Sequence, residues 1–270
     1  MQKNNATKLT VLGILIVLVY IPSFLWMYER WTVKDTYYSH GFLVPLISAL
    51  LVWLKRKQLA KLTLKPSNAG WLLLAPSIAV YLISAMLRIN FSGAFTLVPM
   101  LAGLVLLFMG KDYLKQLLFP ILFLLFMIPL PSAAIVNISF QLKIFAAKLA
   151  TFVVNQIGVP AIREGSVIKT MHAQLMVEDP CSGIRSLIAL IALGTLMAHL
   201  SHTTKIKKTI LFLSAIPIAI GANVVRIVAL TLASEIYGTK FAMGWFHDTM
   251  GIAVFIIAFL ALTLLSKALE

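Results

Sequence analysis

The chain has 270 residues, of which 60% are hydrophobic and only 12% are charged, and its mean hydropathy is +0.95. Soluble domains carry about 25% charged residues, so this composition excludes a soluble globular protein and predicts an integral membrane protein with several spans. The formal net charge of +14 does not require a nucleic-acid partner, because lysine and arginine collect in the cytoplasmic loops of membrane proteins.

Hydrophobic runs that approach the roughly 20 residues needed to cross a bilayer recur along the whole chain. The first run follows a short basic start and has no small-residue cleavage site, so we interpret it as a retained helix and not as a signal peptide. We predict an all-α polytopic membrane protein, a single domain over residues 1–270. Its eight predicted spans are at about 9–27, 38–54, 69–87, 94–110, 113–130, 183–200, 209–233 and 248–266.

The basic residues predict the orientation of these spans. With both termini in the cytoplasm, the Lys55-Arg56-Lys57 cluster, Lys111 and the Lys205–Lys208 loop all face inward. This agrees with the excess of lysine and arginine found in cytoplasmic loops. The localisation that follows is the cytoplasmic membrane, with the loops before spans six and eight on the extracytoplasmic side.

The predicted topology keeps residues 133–158 out of the membrane core. Their large apolar side chains recur at helical spacing, and lysines such as Lys143 and Lys148 supply polar positions. We predict an amphipathic helix in the outer interface, because a further span would turn the Lys205–Lys208 loop outward. The apolar positions are Ile138, Leu142, Phe145, Leu149 and Phe152.

The least hydrophobic part of the chain lies between that helix and the only cysteine. Segments 166–170 and 174–178 flank a short Met-His-Ala turn, an arrangement that indicates a β-hairpin. We predict that this hairpin caps the outer face of the protein beside Cys181.

Cys181 is the only cysteine in the sequence, so it cannot be half of an internal disulfide. It lies where the polar stretch gives way to the sixth predicted span. The pKa of a thiol falls near cations and at a helix N-terminus, so a thiol in this position is suited to nucleophilic chemistry. The alternative is a small packing residue.

Arg226 is an ionisable residue inside the seventh predicted span, and such residues are costly in a membrane and mark functional sites. It follows Thr209 by about 17 residues, or about 25 Å of helix, which places it in the outer part of the membrane. There it can stabilise a thiolate or the oxyanion of a tetrahedral intermediate. A structural pairing with Glu235 or with a lipid phosphate stays open.

His247 precedes the eighth span at the same outer surface. Its imidazole can take the thiol proton and return it to a leaving amine. His40, at the outer start of the second span, is a rival base that the topology does not exclude. We interpret Asp248 as a first-turn helix residue and not as a third catalytic member.

We expect supporting or substrate-binding roles for His40 and for three further residues, Asn223, Arg185 and Ser182. Asn223 precedes Arg226 by three positions on the same helix face and is expected to orient it. Arg185, four residues after Cys181, is a second candidate cation, and Ser182 directly follows the nucleophile. The sequence has no metal-ligand cluster and no phosphate-binding loop, so we predict no metal and no cofactor.

Three blocks of the sequence resemble the signature motifs of the exosortase/archaeosortase family. Weaker echoes of earlier family motifs precede them in the same order, and the resemblance runs from about residue 37 to 266. The three blocks are Pro180-Cys181-Ser182-Gly183-Ile184-Arg185-Ser186, Asn223-Val224-Val225-Arg226-Ile227 and His247-Asp248-Thr249-Met250-Gly251. The weaker echoes are Tyr38-Ser39-His40-Gly41 and Ile128-Pro129-Leu130-Pro131.

The resemblance implies a multi-spanning cysteine transpeptidase or protease that processes exported proteins with a C-terminal sorting signal. That signal is a short motif such as Pro-Glu-Pro, a transmembrane helix and a basic tail. The family's Cys, Arg and His fall on Cys181, Arg226 and His247. Asp179-Pro180 stands where relatives more often have a small residue, and an adjacent carboxylate raises the pKa of a thiol.

We therefore expect a thioester on Cys181 and transfer of the acyl group to water or to an acceptor amine, lipid or glycan. The expected partners are exported substrate proteins and membrane lipid, and no nucleic acid. The alternative is a small transporter or lipid-handling protein in which Arg226 binds an anionic ligand. A purely structural scaffold would leave Arg226 unexplained.

Overall fold

Helices make up most of this computed structural model, which describes residues 2–33, 36–178 and 181–270, with residues 2–10 described by backbone alone. The chain divides into two compact units, Met1–Pro131 and Ser132–Glu270. That all of it forms one domain stays a prediction.

The first unit consists of seven α-helices among its described residues. Short 3-10 turns connect several of them, at Ser39–Phe42, Asn68–Gly70 and Leu124–Met127. The helices are α1 (Gln2–Thr32), α2 (Leu43–Leu54), α3 (Arg56–Leu59), α4 (Trp71–Met86), α5 (Asn90–Phe95), α6 (Leu97–Phe108) and α7 (Lys111–Phe123).

A proline inside α7 is accommodated by polar side chains of α2 and its C-terminus. Pro120 has no N–H, so the carbonyl of Gln116, one turn earlier, lacks its usual helical donor. The Nζ atom of Lys55 donates to that carbonyl at 2.9 Å, and Ser48 donates to the carbonyl of Pro120 at 2.7 Å. The proline therefore helps to fix α7 against α2, as neighbours do in membrane helices that contain proline.

The second unit combines five α-helices with a small sheet among its described residues. The helices are α8 (Ser132–Gln156), α9 (Ile184–Leu200), α10 (Lys205–Tyr237), α11 (Thr239–Ala242) and α12 (Trp245–Leu269). The strands are β1 (Ile162–Glu164), β2 (Val167–Lys169) and β3 (Gln174–Met176).

Helix α10 forms the centre of the second unit and packs against α8, α9 and α12. The face that α8 presents to the core is built from small residues, with Ala146, Ala147 and Ala150 fully or almost fully buried. The large residues Ile138, Phe145 and Phe152 are exposed on the other side. Small residues let helix backbones approach closely, whereas an exposed face of large apolar residues suits contact with lipid.

The predicted hairpin is present and is part of a three-stranded antiparallel sheet in the order β1-β2-β3. Ile168 of β2 pairs with Leu175 of β3, and both side chains are buried on the same face. That face joins a hydrophobic cluster that includes Val154 of α8, Ile227 of α10 and Cys181. The first strand, Ile162–Glu164, was not predicted from the sequence.

Six of the described helical segments are long and apolar enough to cross a membrane. They include Ser132–Gln156, which we predicted to lie in the interface and which has the lowest mean hydropathy of the six, 1.4. The predicted second and sixth spans are shorter apolar helices, Ser39–Leu54 and Ile184–Leu200. The predicted span at 113–130 is a 13-residue helix followed by a 3-10 turn. The fold is a polytopic α-helical membrane protein, as predicted, whereas the number of eight spans stays a prediction.

Candidate active site

The site is built on the turn that leads from the sheet into α9. Cys181 lies in this turn, its N–H donates to the carbonyl of Glu178 at 3.0 Å, and its side chain is 2% exposed. Two residues later the backbone of Gly183 adopts a left-handed conformation, with φ at 82°, and α9 begins. The two preceding residues, Asp179 and Pro180, lie outside the described part of the chain. We expected the carboxylate of Asp179 to raise the pKa of the thiol.

Asn223 of α10 holds this turn in place. Its Nδ2 atom donates to the backbone carbonyl of Cys181 at 2.9 Å, and its side chain is buried. A Cβ atom at Gly183 would lie 2.7 Å from Cγ of Asn223, so only glycine fits between the turn and α10. We expected Asn223 to orient Arg226; the hydrogen bond runs instead to Cys181.

The thiol of Cys181 is in contact with the imidazole of His247, which lies in the first turn of α12. The distance from Sγ to Nε2 is 2.8 Å, and the His247 side chain is 13% exposed. A proton can therefore pass directly between the sulfur and the ring nitrogen.

Arg226 of α10 contacts the same imidazole nitrogen. Its Nη2 atom lies 3.1 Å from Nε2 of His247 and donates to the backbone carbonyl of His247 at 3.3 Å. Gly251 makes room for the guanidinium, since a Cβ atom there would lie 3.1 Å from Nη2 and 3.4 Å from Cζ. Glycine at position 251 therefore lets α12 pass close to the side chain of Arg226.

The second ring nitrogen of His247 is close to a carboxylate. Nδ1 lies 3.2 Å from Oδ1 of Asp248, whose side chain is 86% exposed. Because the guanidinium can only donate, its contact with Nε2 requires that Nε2 accept. The neutral imidazole then carries its proton on Nδ1, where it can be donated to Asp248.

Burial raises the pKa of the Cys181 thiol above its ordinary value. The positive charge of Arg226 opposes this effect, and the negative charge of Glu178 adds to it. The pKa is thus raised, whereas the position of Cys181 at a helix start suggested that it would be lowered. The resting pair is therefore a neutral thiol that faces an imidazole acceptor, and the sulfur needs a base before it can attack.

The sheet is tied to the end of α10 near this site. The backbone N–H of His172, in the turn of the hairpin, donates to Oε2 of Glu235 at 3.1 Å, and its Nδ1 lies 2.7 Å from Oε1. Glu235 follows Arg226 by nine residues, or about 14 Å of helix, so a direct pairing of the two does not fit one helix. The open alternative of an Arg226–Glu235 pair is therefore wrong.

The remaining predicted residues are placed as follows. Ser182 is buried at 2% exposure, and its hydroxyl has no hydrogen-bond partner within the described chain. Arg185 is partly buried in the first turn of α9. His40 belongs to the 3-10 turn Ser39–Phe42 of the first unit, beside Tyr38. Among the described residues no group of three or more His, Cys, Asp or Glu could hold a metal.

Sequence reasoning missed three features of this arrangement. They are the contact of Asp248 with Nδ1 of His247, the space that Gly251 leaves for Arg226, and the effect of Glu178 on the pKa of Cys181. Each depends on which residues are neighbours in the folded chain, and the spacing of residues in the sequence does not reveal that. In the sequence, Gly251 was noted only as the last residue of the third block, four residues after His247.

The family model described as "Transmembrane exosortase (Exosortase_EpsH)" matches residues 26–264, a range that extends over both compact units. No curated protein and no solved structure matches the chain significantly.

Proposed function

Because this chain belongs to the transmembrane exosortase family, we propose that it is a membrane-embedded cysteine peptidase or transpeptidase with Cys181 as its nucleophile. The proposal rests mainly on one observation: Sγ of Cys181 and Nη2 of Arg226 lie 2.8 and 3.1 Å from the same nitrogen of His247. A nucleophile, a base and a cation from three separate helical regions thus meet at one point, the arrangement that covalent catalysis requires.

In the first half of the reaction, Nε2 of His247 takes the proton from Cys181 while the sulfur attacks the carbonyl carbon of the scissile peptide. The tetrahedral intermediate collapses when the C–N bond breaks, and His247 gives its proton to the departing amine. The acyl part of the substrate is left as a thioester on Cys181.

In the second half, water or an acceptor nucleophile attacks the thioester. His247 removes a proton from the attacking group, and the C–S bond breaks. The thiolate recovers the proton from His247, which restores the neutral pair. The outcome is hydrolysis with water or transpeptidation with an amine.

Arg226 stabilises the negative charge that develops during these steps. Once Nε2 carries a proton, it cannot accept a hydrogen bond from the guanidinium. Nη2 is then available to the sulfur or to the oxygen of the tetrahedral intermediate, and a cation in a buried site stabilises such charge strongly. Contact with one ring nitrogen in the resting state thus places the cation where charge appears later.

The proposed substrates are exported proteins with a C-terminal signal made of a short motif such as Pro-Glu-Pro, a transmembrane helix and a basic tail. Family membership supports this substrate class. The distribution of basic residues supports cleavage at the extracytoplasmic face of the cytoplasmic membrane.

The direct test uses cells that produce this protein and a tagged reporter with such a C-terminal signal. We expect wild-type protein to convert the reporter to a shorter form on a gel, and Cys181→Ala to abolish the conversion. His247→Ala and Arg226→Ala should each lower the rate by at least about a hundredfold.

Arg226→Ala and a further variant, Cys181→Ser, distinguish the alternative of a transporter or lipid-handling protein. That function predicts no effect of Cys181→Ser and a loss of function in Arg226→Ala. Conversion of the reporter at the wild-type rate by Cys181→Ala would exclude the cysteine mechanism.

A further inference from the structure

A narrow cleft lies beside Cys181, between α8, the start of α9 and α10. Its empty space amounts to about 230 Å³, part of which is open to the surroundings. The interior is narrow, so it has room for a group about the size of a methyl or a water and not for a helix.

The walls of the cleft are apolar except at one end. Leu142 and Ala146 of α8 and Ile220 of α10 form the apolar part, and none of the described residues that line the cleft is charged. Ser182 contributes a hydroxyl that is buried and has no hydrogen-bond partner among the described residues. Because buried hydroxyls are normally paired, an occupant that supplies a hydrogen-bonding group is expected.

The polar part of the cleft begins at the residue that follows the nucleophile. Ser182 and Gly183, which line it, follow Cys181 directly in the chain. The amide of Asn223 lines the cleft as well and donates to the carbonyl of Cys181 at 2.9 Å. A group bound at Ser182 therefore lies beside the residue that carries the nucleophile.

From this geometry, and resting on the proposed function, we propose that the cleft is a specificity subsite for the substrate residue that carries the scissile carbonyl. The subsite takes a small, uncharged side chain against Leu142, Ala146 and Ile220, and the Ser182 hydroxyl bonds to the substrate backbone. A charged side chain is excluded, since burial without a partner would be strongly unfavourable.

The test begins with the tagged reporter that the wild-type protein cleaves. Mass spectrometry of the shortened product identifies the residue before the cleaved bond, and that residue is then changed to Ala, Val, Leu or Asp. We expect wild-type kcat/KM to be highest for the small uncharged residues and lowest for Asp, by about a hundredfold or more.

Ile220→Ala enlarges the cleft and should move the preference toward Leu by about tenfold or more relative to Ala. Ile216→Ala is the matched control: the same change one turn earlier in α10, at a residue that does not line the cleft. Ser182→Ala should lower kcat/KM by up to about tenfold for every member of the panel, because a backbone contact is independent of the side chain.

The outcomes separate this proposal from the proposed function. If cleavage depends on Cys181 but Ile220→Ala and Ile216→Ala show the same preferences, the subsite is excluded and the nucleophile stands. If Ile220→Ala changes all rates equally and the change follows the acyl-chain length of added phospholipid, the cleft holds lipid and the proposal is overturned. Cleavage that persists in Cys181→Ala overturns both.

Discussion

At the scale of single residues, the site depends on what Nε2 of His247 can accept. In the resting state this nitrogen faces both the thiol of Cys181 and the guanidinium of Arg226, at 2.8 and 3.1 Å. A neutral ring has one lone pair there, so the thiol and the guanidinium share it. In the proposed mechanism, transfer of the thiol proton removes that acceptor, so the guanidinium becomes available to the new negative charge. Hydrogen-bonding capacity thus supports the proposed order of events.

The raised pKa of Cys181 makes its alkylation dependent on pH in a specific way. Thiolate forms only as pH rises through the pKa, so a small neutral reagent such as iodoacetamide should react half-maximally at higher pH than with an ordinary cysteine. Glu178→Gln removes a negative charge that raises this pKa, and the profile should move to lower pH. Rates are measured on the purified protein, where the native chain contains no other thiol.

Glu164→Gln is the control for that shift, since Glu164 pairs with Lys169 within the sheet. Its profile should match that of the wild type. A Glu178→Gln profile that stays in place or moves to higher pH would contradict the electrostatic account.

The space at Gly251 gives a second prediction at this scale. Gly251→Ala puts a methyl group 3.1 Å from Nη2 of Arg226, so the guanidinium must move by a few tenths of an ångström. We expect kcat/KM for the reporter to fall by at least about tenfold, because small displacements of catalytic groups reduce rates strongly. Gly221→Ala, on α10, meets open space and should leave cleavage unchanged while favouring the helix by roughly 1 kcal/mol. Equal activity of the two variants would contradict the assigned position of Arg226.

At the scale of secondary-structure elements, α10 connects three parts of the second unit. Asn223 holds the turn at Cys181, Arg226 three residues later contacts His247, and Glu235 binds the turn of the hairpin. Residues three apart share a face of a helix, which explains how one helix serves both the nucleophile and the base. The hairpin is attached to the same helix beyond the site, so its position is fixed relative to Cys181.

Removal of the Glu235 carboxylate should loosen the hairpin turn. We expect Glu235→Ala to raise amide hydrogen exchange at His172 several-fold or more, because its N–H loses a charged acceptor. Hydrogen exchange followed by mass spectrometry on peptides covering residues 162–177 measures this effect. Glu164→Ala, which removes a carboxylate paired within the sheet, should leave the turn amides unchanged; an equal response of both variants would refute the connection.

At the scale of the whole molecule, the length of α10 agrees with the predicted position of the site near the outer surface of the membrane. Helix α10 has 33 residues and is therefore about 50 Å long, well beyond the roughly 30 Å of the hydrocarbon core. Arg226 lies about 32 Å from its start at Lys205. If Lys205 is at the inner surface, Arg226 is at the outer edge of the hydrocarbon, and Glu235 and the hairpin are outside it.

Single cysteines introduced into the Cys181→Ser protein test this orientation. We expect a membrane-impermeant maleimide to label Met171→Cys, an exposed position in the hairpin turn, in intact cells. Thr204→Cys, in the basic loop before α10, should react only after the cells are permeabilised. The reverse pattern would mean that Ser132–Gln156 adds a span and that the positive-inside assignment of this half is wrong.

The sequence predicted the membrane fold, the hairpin and the meeting of Cys181, Arg226 and His247 because each leaves a local signature. Hydropathy, a turn flanked by short strands, and ionisable residues at one depth are all readable along the chain. The direction of the Cys181 pKa shift and the partner of Asn223 were not predictable, since they depend on burial and on the left-handed backbone at Gly183. Whether α8 spans the membrane or lies in the interface stays a prediction. Its large apolar residues are on the exposed side and its small residues are on the packed side, so hydropathy alone does not separate the two.

The measurement that tests the central claim most directly is the capture of an acyl-enzyme on Cys181. A tagged reporter that the wild-type protein cleaves is mixed with purified protein and quenched in acid before release is complete. The account predicts a covalent adduct of protein and reporter that survives denaturation, is released by neutral hydroxylamine, carries the reporter mass on Cys181 and is absent from Cys181→Ala. Cleavage at the normal rate with the adduct on another residue, or with wild-type yield in Cys181→Ala, would contradict it.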